Sequence, residues 1–348
     1  MAATEDTAKT GKKNAVIGIA KCPATGNIYG VRLEEKADKK CWATWAFPIK
    51  TETARREGYL TTQFPSDILY EKEYPGCPYC KKFEDLVKIG NPGGRGPYTK
   101  WAGISSIPGV MKDNFGNAQG SQFDLAADNS FEGYKILVIF LCSGGSFKSP
   151  EKALRKKGFD IQVSRKVPPY NDLKESLRDC SQLWLISNKN HNLNGDHIKV
   201  ITDFFNAGHG IYMWGDNDPN YVDANAVLKN IFQTEMSGNR HGDKVLGIQR
   251  SNETPGIVAN HLITTGIESF DEGVTIAEIR LNKGLQPLIY GSENQIVTAY
   301  YDQNGKRALV DGGFTRLWYK WDSAGTDRYI VNAAAWLANI ERFGYKNG

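Results

Sequence analysis

Nowhere does this chain carry an apolar run approaching the roughly 20 residues needed to span a bilayer, and nowhere does it carry a block of basic residues. The first absence leaves no membrane span to predict. The second, with a net charge of only +4 dispersed along 348 residues, argues against nucleic-acid binding, which relies on clustered Lys and Arg. The N-terminal MAATEDTAKTGKK is polar and contains two acidic residues, unlike a secretory leader. The cytosol is therefore the expected compartment, and residues 1–13 are expected to form a disordered tail with nothing to bury. Histidine is missing from residues 14–88, which limits the ligands that segment can offer a metal.

What is present is ordinary for a soluble protein: 40% hydrophobic and 24% charged residues. The length suggests two domains. Six cysteines fall into an early group, Cys22, Cys41, Cys77 and Cys80, and a later pair, Cys142 and Cys180. Residues 14–88 read as a small β-rich unit, with strands in GNIYGVRLE and CWATWAFPIK and a knuckle in YPGCPYC. A C-x-x-C pair on a tight turn directs two thiolates at one ion, as tetrahedral zinc requires. Cys77 and Cys80 supply that pair. Cys22, in its own Cys-Pro turn, is the better of the two remaining candidates, and Cys41 is the expected fourth ligand. A structural Zn2+ would contribute much of the folding free energy of so thin a core.

Residues 89–130 are rich in Gly, Asn, Ser and Pro and lack a period, so they read as a linker. Trp101, Ile104, Ile107, Phe115 and Phe123 are expected to pin it to a domain surface. From Tyr134 a βα alternation begins: the apolar run KILVIFLC, a helix over 150–157, the strand FDIQVS, the helix DLKESLRDC, the strand QLWLIS, a helix over 197–208 and the strand IYMW. Four such strands with helical crossovers predict an α/β, doubly wound, mainly parallel sheet over 131–348, covered on both faces. Beyond Gly238 the segments KVLGIQR, GVTIAEI, PLIYG, QIVTAYY and KRALVDGG read as less regular strands, and GTDRYIVNAAAWLANI reads as an amphipathic helix docked on the sheet.

The sharpest strand-to-loop switch is GHGIYMWGDNDPNYVD, residues 208–223. Open α/β sheets bind ligands at the carboxyl ends of their strands. Gathering those ends gives Ser143, Gly144, Gly145 and Ser146 after the first strand, Asn188, Asn190 and His191 after the third, and Asp216, Asn217 and Asp218 after the fourth. The Gly/Ser loop entering a helix offers backbone N–H groups to an anion, with Lys148 nearby, although it lacks the G-K-[ST] ending of a phosphate loop. Opposing carboxylates suit sugar hydroxyls, a divalent cation or a cationic group. Asp216 to Asp218 also suit a helix cap and turn, with Pro219 at a first helical position. The expected division puts Asp216 in the cleft and Asp218 on the cap, with the first and fourth strands side by side at the switch point. His191 and His209 read as solvated loop residues, and His261 as a structural one. Trp318, Tyr319 and Trp321 suit packing or an exposed stacking platform. Arg316, Asp322 and Arg328 suit an ion-pair network or a solvated face.

The corner WGDNDPNYVDAN, the stretch HLITTGIESFDEGVTI, and ALVDGGFTRLWYKW followed by NAAAWLAN resemble the glutamine-amidotransferase-like superfamily, nearest its ThuA-like branch, over about 131–342. The resemblance implies a flavodoxin-like sheet. In its enzymes, a cysteine at the strand–helix elbow is activated by a histidine after a later strand. Here the elbow falls near Gly215–Asp216 and the later strand ends in Asp311-Gly312-Gly313, so neither partner is present and amidotransferase chemistry is not expected. Cys142 and Cys180 sit at no elbow and read as core thiols. The first unit, CPATGNIYGVR…WAFPIK…REGY…YPGCPYC, resembles the metal-binding ribbon of von Willebrand-type proteins in tellurite-resistance operons, which implies a tellurite or stress association. Three functions are carried forward: a non-catalytic zinc-containing binding or scaffold protein with a protein partner or a small polar ligand, a metal-assisted hydrolase at the Asp216 corner, and a self-assembling structural subunit.

Overall fold

The computed structural model describes residues 16–21, 28–35, 41–47, 111–126, 128–249, 254–258, 261–321 and 324–339. Toward the N-terminus, β1 (Val16–Lys21), β2 (Ile28–Glu35) and β3 (Cys41–Phe47) form an antiparallel three-stranded sheet in that order. Its register places Lys21 and Cys41 at opposite ends of β2. Lys21, which Cys22 follows, pairs with Ile28 at one end of β2, and Cys41 pairs with Glu35 at the other. At about 3.3 Å per residue, the length of β2 puts roughly 23 Å between those two places. Cys22, Cys77 and Cys80 lie outside the described residues. Among the described residues, no three His, Cys, Asp or Glu side chains gather as a metal-binding group, and no helix is long and apolar enough to cross a membrane.

The second unit is mixed α/β. In chain order it contains β4 (Lys135–Phe140), α1 (Lys148–Lys156), β5 (Asp160–Ser164), α2 (Tyr170–Arg178), β6 (Cys180–Ile186), α3 (Gly195–Asn206), β7 (Gly210–Trp214) and α4 (Val222–Phe232). The short strands β8 (Met236–His241), β9 (Val245–Gly247), β10 (Gly256–Ile257), β11 (Ser269–Asp271) and β12 (Thr275–Ile279) come next. The meander β13 (Gln286–Tyr290), β14 (Ile296–Gln303) and β15 (Lys306–Asp311) then leads to α5 (Thr326–Leu337). Eight strands make one sheet in the order β10-β13-β14-β15-β7-β6-β4-β5. From β5 to β15 neighbouring strands are parallel, and from β15 to β10 they are antiparallel. The parallel part follows the order of a flavodoxin-type sheet, with β15 as its last strand. The first and fourth strands of the alternation, β4 and β7, are not side by side as expected: β6 lies between them. β7 instead neighbours β15, the late strand KRALVD.

The period of two along each parallel strand divides the interior into two layers. Ile136, Val138, Trp184, Tyr212, Trp214 and Leu309 face α1 and α5, while Leu137, Ile139, Leu185, Met213 and Val310 face α2, α3 and α4. These strands are apolar on both faces because helices cover both, so they read as continuous runs rather than alternations. α3 starts on a capping box: Asn194 Oδ1 accepts from the backbone of Asp196 and His197, each at 3.1 Å, and His197 Nδ1 accepts from Asn194 N at 3.2 Å.

The end of the Gly/Pro-rich segment belongs to this core rather than merely to its surface. Phe123, Leu125, Ala126 and Phe131 are buried in the α1/α5 layer, whereas Phe115 is 40% exposed. Buried charge fastens the segment. Lys157 Nζ reaches Asp124 and Asp128, each at 2.7 Å, and the Ala126 carbonyl at 2.9 Å. Arg328 on α5 donates to the other Asp124 oxygen at 2.8 Å and to the Gly266 and Gly120 carbonyls. Removing one partner of a buried pair strands the rest. Lys157→Met, which keeps the aliphatic stem, is expected to cost about 3 kcal/mol in urea unfolding. An unchanged midpoint would mean that the clamp contributes nothing.

Candidate functional site at the carboxyl ends of the parallel strands

Chain geometry at this edge is set by close backbone approaches. A Cβ on Gly312 would overlap the Ala277 carbonyl, and one on Gly313 would overlap the Arg316 guanidinium and the Glu272 carbonyl. At Gly215, a Cβ would come within 2.7 Å of Met236 Sδ and 2.8 Å of Tyr221 Cβ. The Gly-Gly and Trp-Gly steps thus let β12 cross over the ends of β7 and β15, and let Arg316 fold back on the strand it has just left. Gly215 is locked from both sides: its N–H donates to the Asp311 carbonyl at 2.8 Å, and its carbonyl accepts from Phe314 N at 3.1 Å.

Asp311, the last residue of β15, is wholly buried. One carboxylate oxygen accepts from the Arg316 guanidinium and from Gly313 N at 2.9 Å. The other accepts from Tyr329 at 3.0 Å, Thr298 at 3.1 Å and Tyr212 at 3.2 Å. Arg316 also donates to the Glu272 carbonyl at 2.7 Å and to Thr298 at 3.0 Å, and its guanidinium lies 4.7 Å from the Phe270 ring centre. Burial works against the arginine charge, and the adjoining Asp311 carboxylate more than offsets it, so its pKa lies above the ordinary value. Burial raises the Tyr212 and Tyr329 hydroxyls, which remain neutral donors. Sequence reasoning missed Asp311 as the partner of Arg316. Its available signal was an acid ending an apolar strand, followed by two glycines that permit a tight return. Arg328 pairs with Asp124 instead, and Asp322 lies outside the described residues.

The expected site residues divide as follows. Ser143, Gly144 and Ser146 are exposed and Gly145 is half-buried in the loop after β4. A Cβ on Gly145 would meet the Phe140 ring at 2.9 Å and the Phe314 ring at 3.1 Å, and Arg165 stacks 4.3 Å over the Phe140 ring centre. Asn188 is spent on structure: Nδ2 donates to the Leu141 carbonyl at 3.0 Å, and Oδ1 accepts from Asn190 N and Asn192 Nδ2. His191 is exposed on the same loop. Buried Asp223, on the first turn of α4, holds that loop through Asn192 N and Leu193 N at 2.9 Å. Ser187 Oγ, accepting from Asp223 N at 3.0 Å, caps α4. Asp218 is not the helix cap that was expected. It is exposed, its carboxylate accepts from Tyr221 OH at 2.7 Å, and α4 begins later, at Val222. Pro219 correspondingly lies outside the first helical turn. Phe314 is bonded at its backbone to Gly215 and packs its ring tip against Gly145.

Asp216 differs from these. It is half-buried, and its Oδ1 accepts from Thr275 Oγ1 on β12 at 2.8 Å and from Asn217 N at 2.9 Å. Burial lifts its pKa from the ordinary carboxyl value to about 6, against the lowering effects of Thr275, the Asn217 N–H and the Arg316 charge. A carboxyl that exchanges its proton near neutral pH is suited to acid–base work or to a ligand whose charge it can match. Away from this edge, His261 is buried against Tyr300 and Trp336, accepts from Ile263 N at 3.2 Å, and is pushed by burial down to about 3. His209 stacks on Phe204 at 4.4 Å. Cys180 is buried and Cys142 half-buried. Trp321 packs on the core, while Trp318 and Tyr319 are exposed.

Because the Asp216 pKa is raised in the folded state, its contribution to stability is fully present below the unfolded carboxyl value and is lost as pH climbs through about 6. Asp216→Asn keeps an acceptor and removes the ionised form. The stability of the variant relative to the parent is therefore expected to rise by about 2–3 kcal/mol between pH 4 and pH 7.5. Urea unfolding at the two pH values measures this, and parallel pH profiles would show that Asp216 titrates normally.

No family model matches the chain, and no curated protein matches it. Among solved structures, a ThuA-like protein from Bacteroides uniformis ATCC 8492 is 12% identical, with 59% of this chain and 91% of that one covered and a TM-score of 0.41. An exo-beta-1,4-mannosidase from Opitutaceae bacterium strain TAV5 is 11% identical over 60% of this chain and only 36% of its own, with a TM-score of 0.34. PurLQS from Thermotoga maritima is 11% identical over 58% of this chain and 97% of that one, also with a TM-score of 0.34. Likenesses this distant say nothing of what the chain binds or does.

Proposed function

We propose that this protein is a zinc-containing binding or scaffold protein of the cytosol, whose α/β unit is a non-catalytic relative of the ThuA-like branch of the glutamine-amidotransferase-like superfamily. The observation that carries this reading is the state of Asp311. It ends the strand after which the enzymes of that superfamily present their histidine, and its carboxylate is fully buried and occupied by Arg316, Gly313 N, Thr298, Tyr212 and Tyr329. A group so occupied cannot accept a proton from a nucleophile. The elbow after β7 offers Gly215 and Asp216, with no thiol or hydroxyl to activate. A small polar ligand at the Asp216 corner and a protein partner remain compatible with this reading; a tellurite or stress association rests on the sequence resemblance alone. Purified protein is expected to release no ammonia from glutamine and to contain no thiol that alkylates much faster than free cysteine. Glutamine hydrolysis that Cys142→Ala abolishes would overturn the reading.

A hydrolase at the Asp216 corner is the second reading, favoured by one observation, the carboxyl pKa of about 6. It requires turnover that disappears in Asp216→Asn while the fold persists.

For the N-terminal unit, the proposal is one structural zinc ion per chain, bound by Cys22, Cys77 and Cys80 with Cys41 as the fourth ligand. Thiolates at this spacing suit zinc. Metal analysis is expected to find about one zinc per chain, lost in Cys77→Ser while the α/β unit stays folded. Metal-free protein with an intact N-terminal unit would overturn the assignment.

A further inference from the structure

The five residues between Gly215 and Tyr221 differ from the strand ends around them. At one end, Gly215 is buried and bonded on both sides, to the Asp311 carbonyl and to Phe314 N. At the other, Tyr221 packs on the layer beneath α2, α3 and α4. From Asp216 to Asn220 the sequence is Asp-Asn-Asp-Pro-Asn. Asp216, Asn217 and Asn220 are half-buried, and Asp218 and Pro219 are exposed. Much of the hydrogen bonding is internal: Asp216 N donates to the Asn220 carbonyl at 3.3 Å, Asn220 N to the Asn217 carbonyl at 2.8 Å, and Asn217 N to Asp216 Oδ1 at 2.9 Å. Among the described residues, two hydrogen bonds tie the segment to elements beyond its own ends, both to the β8/β12 ribbon. Thr275 Oγ1 donates to Asp216 Oδ1 at 2.8 Å, and Asp218 N donates to the Gly238 carbonyl at 3.0 Å. A segment with no buried side chain, held by so few bonds between two fixed ends, belongs to the part of a fold that opens locally before the rest.

One of the two outside bonds is made by a group that titrates. Both donors to Asp216 converge on Oδ1, and burial outweighs them. Arg316 is the charged group that acts on Asp216; its effect is the smallest of those on the carboxyl, and its guanidinium is committed to Asp311. On β8, His241 stands opposite Thr275 in the ladder, and Asp218 accepts from Tyr221 OH; neither contributes to the Asp216 shift. We propose that residues 216–220 form a strap at the carboxyl ends of the parallel strands, latched to β12 by the Asp216–Thr275 hydrogen bond while Asp216 is protonated and loosened as Asp216 ionises. In the open strap the carboxyl is rehydrated and returns to its ordinary value. The closed form therefore holds its full advantage below that value and loses it as pH climbs through about 6. A shift from 3.8 to about 6 raises the open population about fiftyfold between pH 4 and pH 7.5. Opening frees the Asp216 carboxylate and the Thr275 hydroxyl at the edge where open α/β sheets receive ligands, so access there follows pH.

Amide hydrogen exchange of the full-length protein is the test, each rate being divided by its intrinsic value at the same pH. The Asn217 and Asp218 amides, which donate to Asp216 Oδ1 and to the Gly238 carbonyl, should exchange about fiftyfold faster at pH 7.5 than at pH 4 after that correction. Dilute urea should leave these two rates unchanged while accelerating the amides of β6, because local opening exposes little new surface and global unfolding exposes much. Asp216→Asn should abolish the pH dependence at Asn217 and Asp218, and His241→Gln should keep it. Thr275→Val, which removes the latch and retains a β-branched side chain, should speed both amides at pH 4 at least about threefold. Corrected rates that are equal at the two pH values would overturn the proposal, as would a pH dependence that survives Asp216→Asn or disappears in His241→Gln. Strap amides as slow and as urea-sensitive as those of β6 would show that the segment opens only with the whole fold, and would overturn it too.

Discussion

A single buried ion pair, Asp311 with Arg316, holds the carboxyl-end edge of the parallel strands in its present form. Taking two charges out of water costs several kcal/mol per ion unless their partners are complete. Here they are supplied from four directions: Tyr212 on β7, Thr298 on β14, Tyr329 on α5 and the Glu272 carbonyl before β12. Each of those elements is therefore positioned by one charge cluster. The pair accounts for the two glycines after β15, because only a chain without Cβ atoms there can bring Arg316 back onto Asp311 while the Ala277 carbonyl crosses above.

The same arrangement shapes the chemistry available at the strand ends. Asp311 is occupied, Asn188 and Asp223 fasten a loop, and Ser187 caps a helix, so most of the polar groups collected there are committed to structure. Phe314, carried out of β15 on the turn the ion pair creates, inserts its ring beside Phe140 at 5.8 Å and packs on the Gly145 backbone. Phe140 and Phe314 thus pack against Gly145 at the edge that binds ligands in open α/β sheets. Asp216 stands apart: its carboxyl is half-buried, tied to β12 by one hydroxyl, and raised in pKa because its desolvation exceeds the help it receives.

The alternation of strands and helices was legible because parallel strands buried on both faces form unbroken apolar runs. KILVIFLC, QLWLIS and IYMW all fall on β4, β6 and β7, and the helices between them appear within a few residues of their expected bounds. Less legible was the part played by each polar residue at the strand ends. Asp218 carries every local mark of a helix cap, but the chain makes another turn through Tyr221 before α4 begins, and Ser187, distant in sequence, caps that helix. Thr275, which bonds Asp216, comes from a strand 59 residues away, and no spacing rule connects them. Arg316 was legible as a member of an ion pair but not as the partner of Asp311, since both readings of a charged residue near an aromatic cluster look alike until burial is known.

Local sequence, then, determined what each segment of this protein is: periodicity selects helix or strand, and glycines mark the places where the backbone must come close to another chain segment. Tertiary structure alone decided which segments meet. It inserted β15 beside β7 with β6 separating β4 from β7, and it brought Arg316 back onto Asp311. The physical reason is that strand order and burial depend on non-local pairing. The free energy of a charge or a carboxyl proton is set by neighbours that the chain brings together only when it folds.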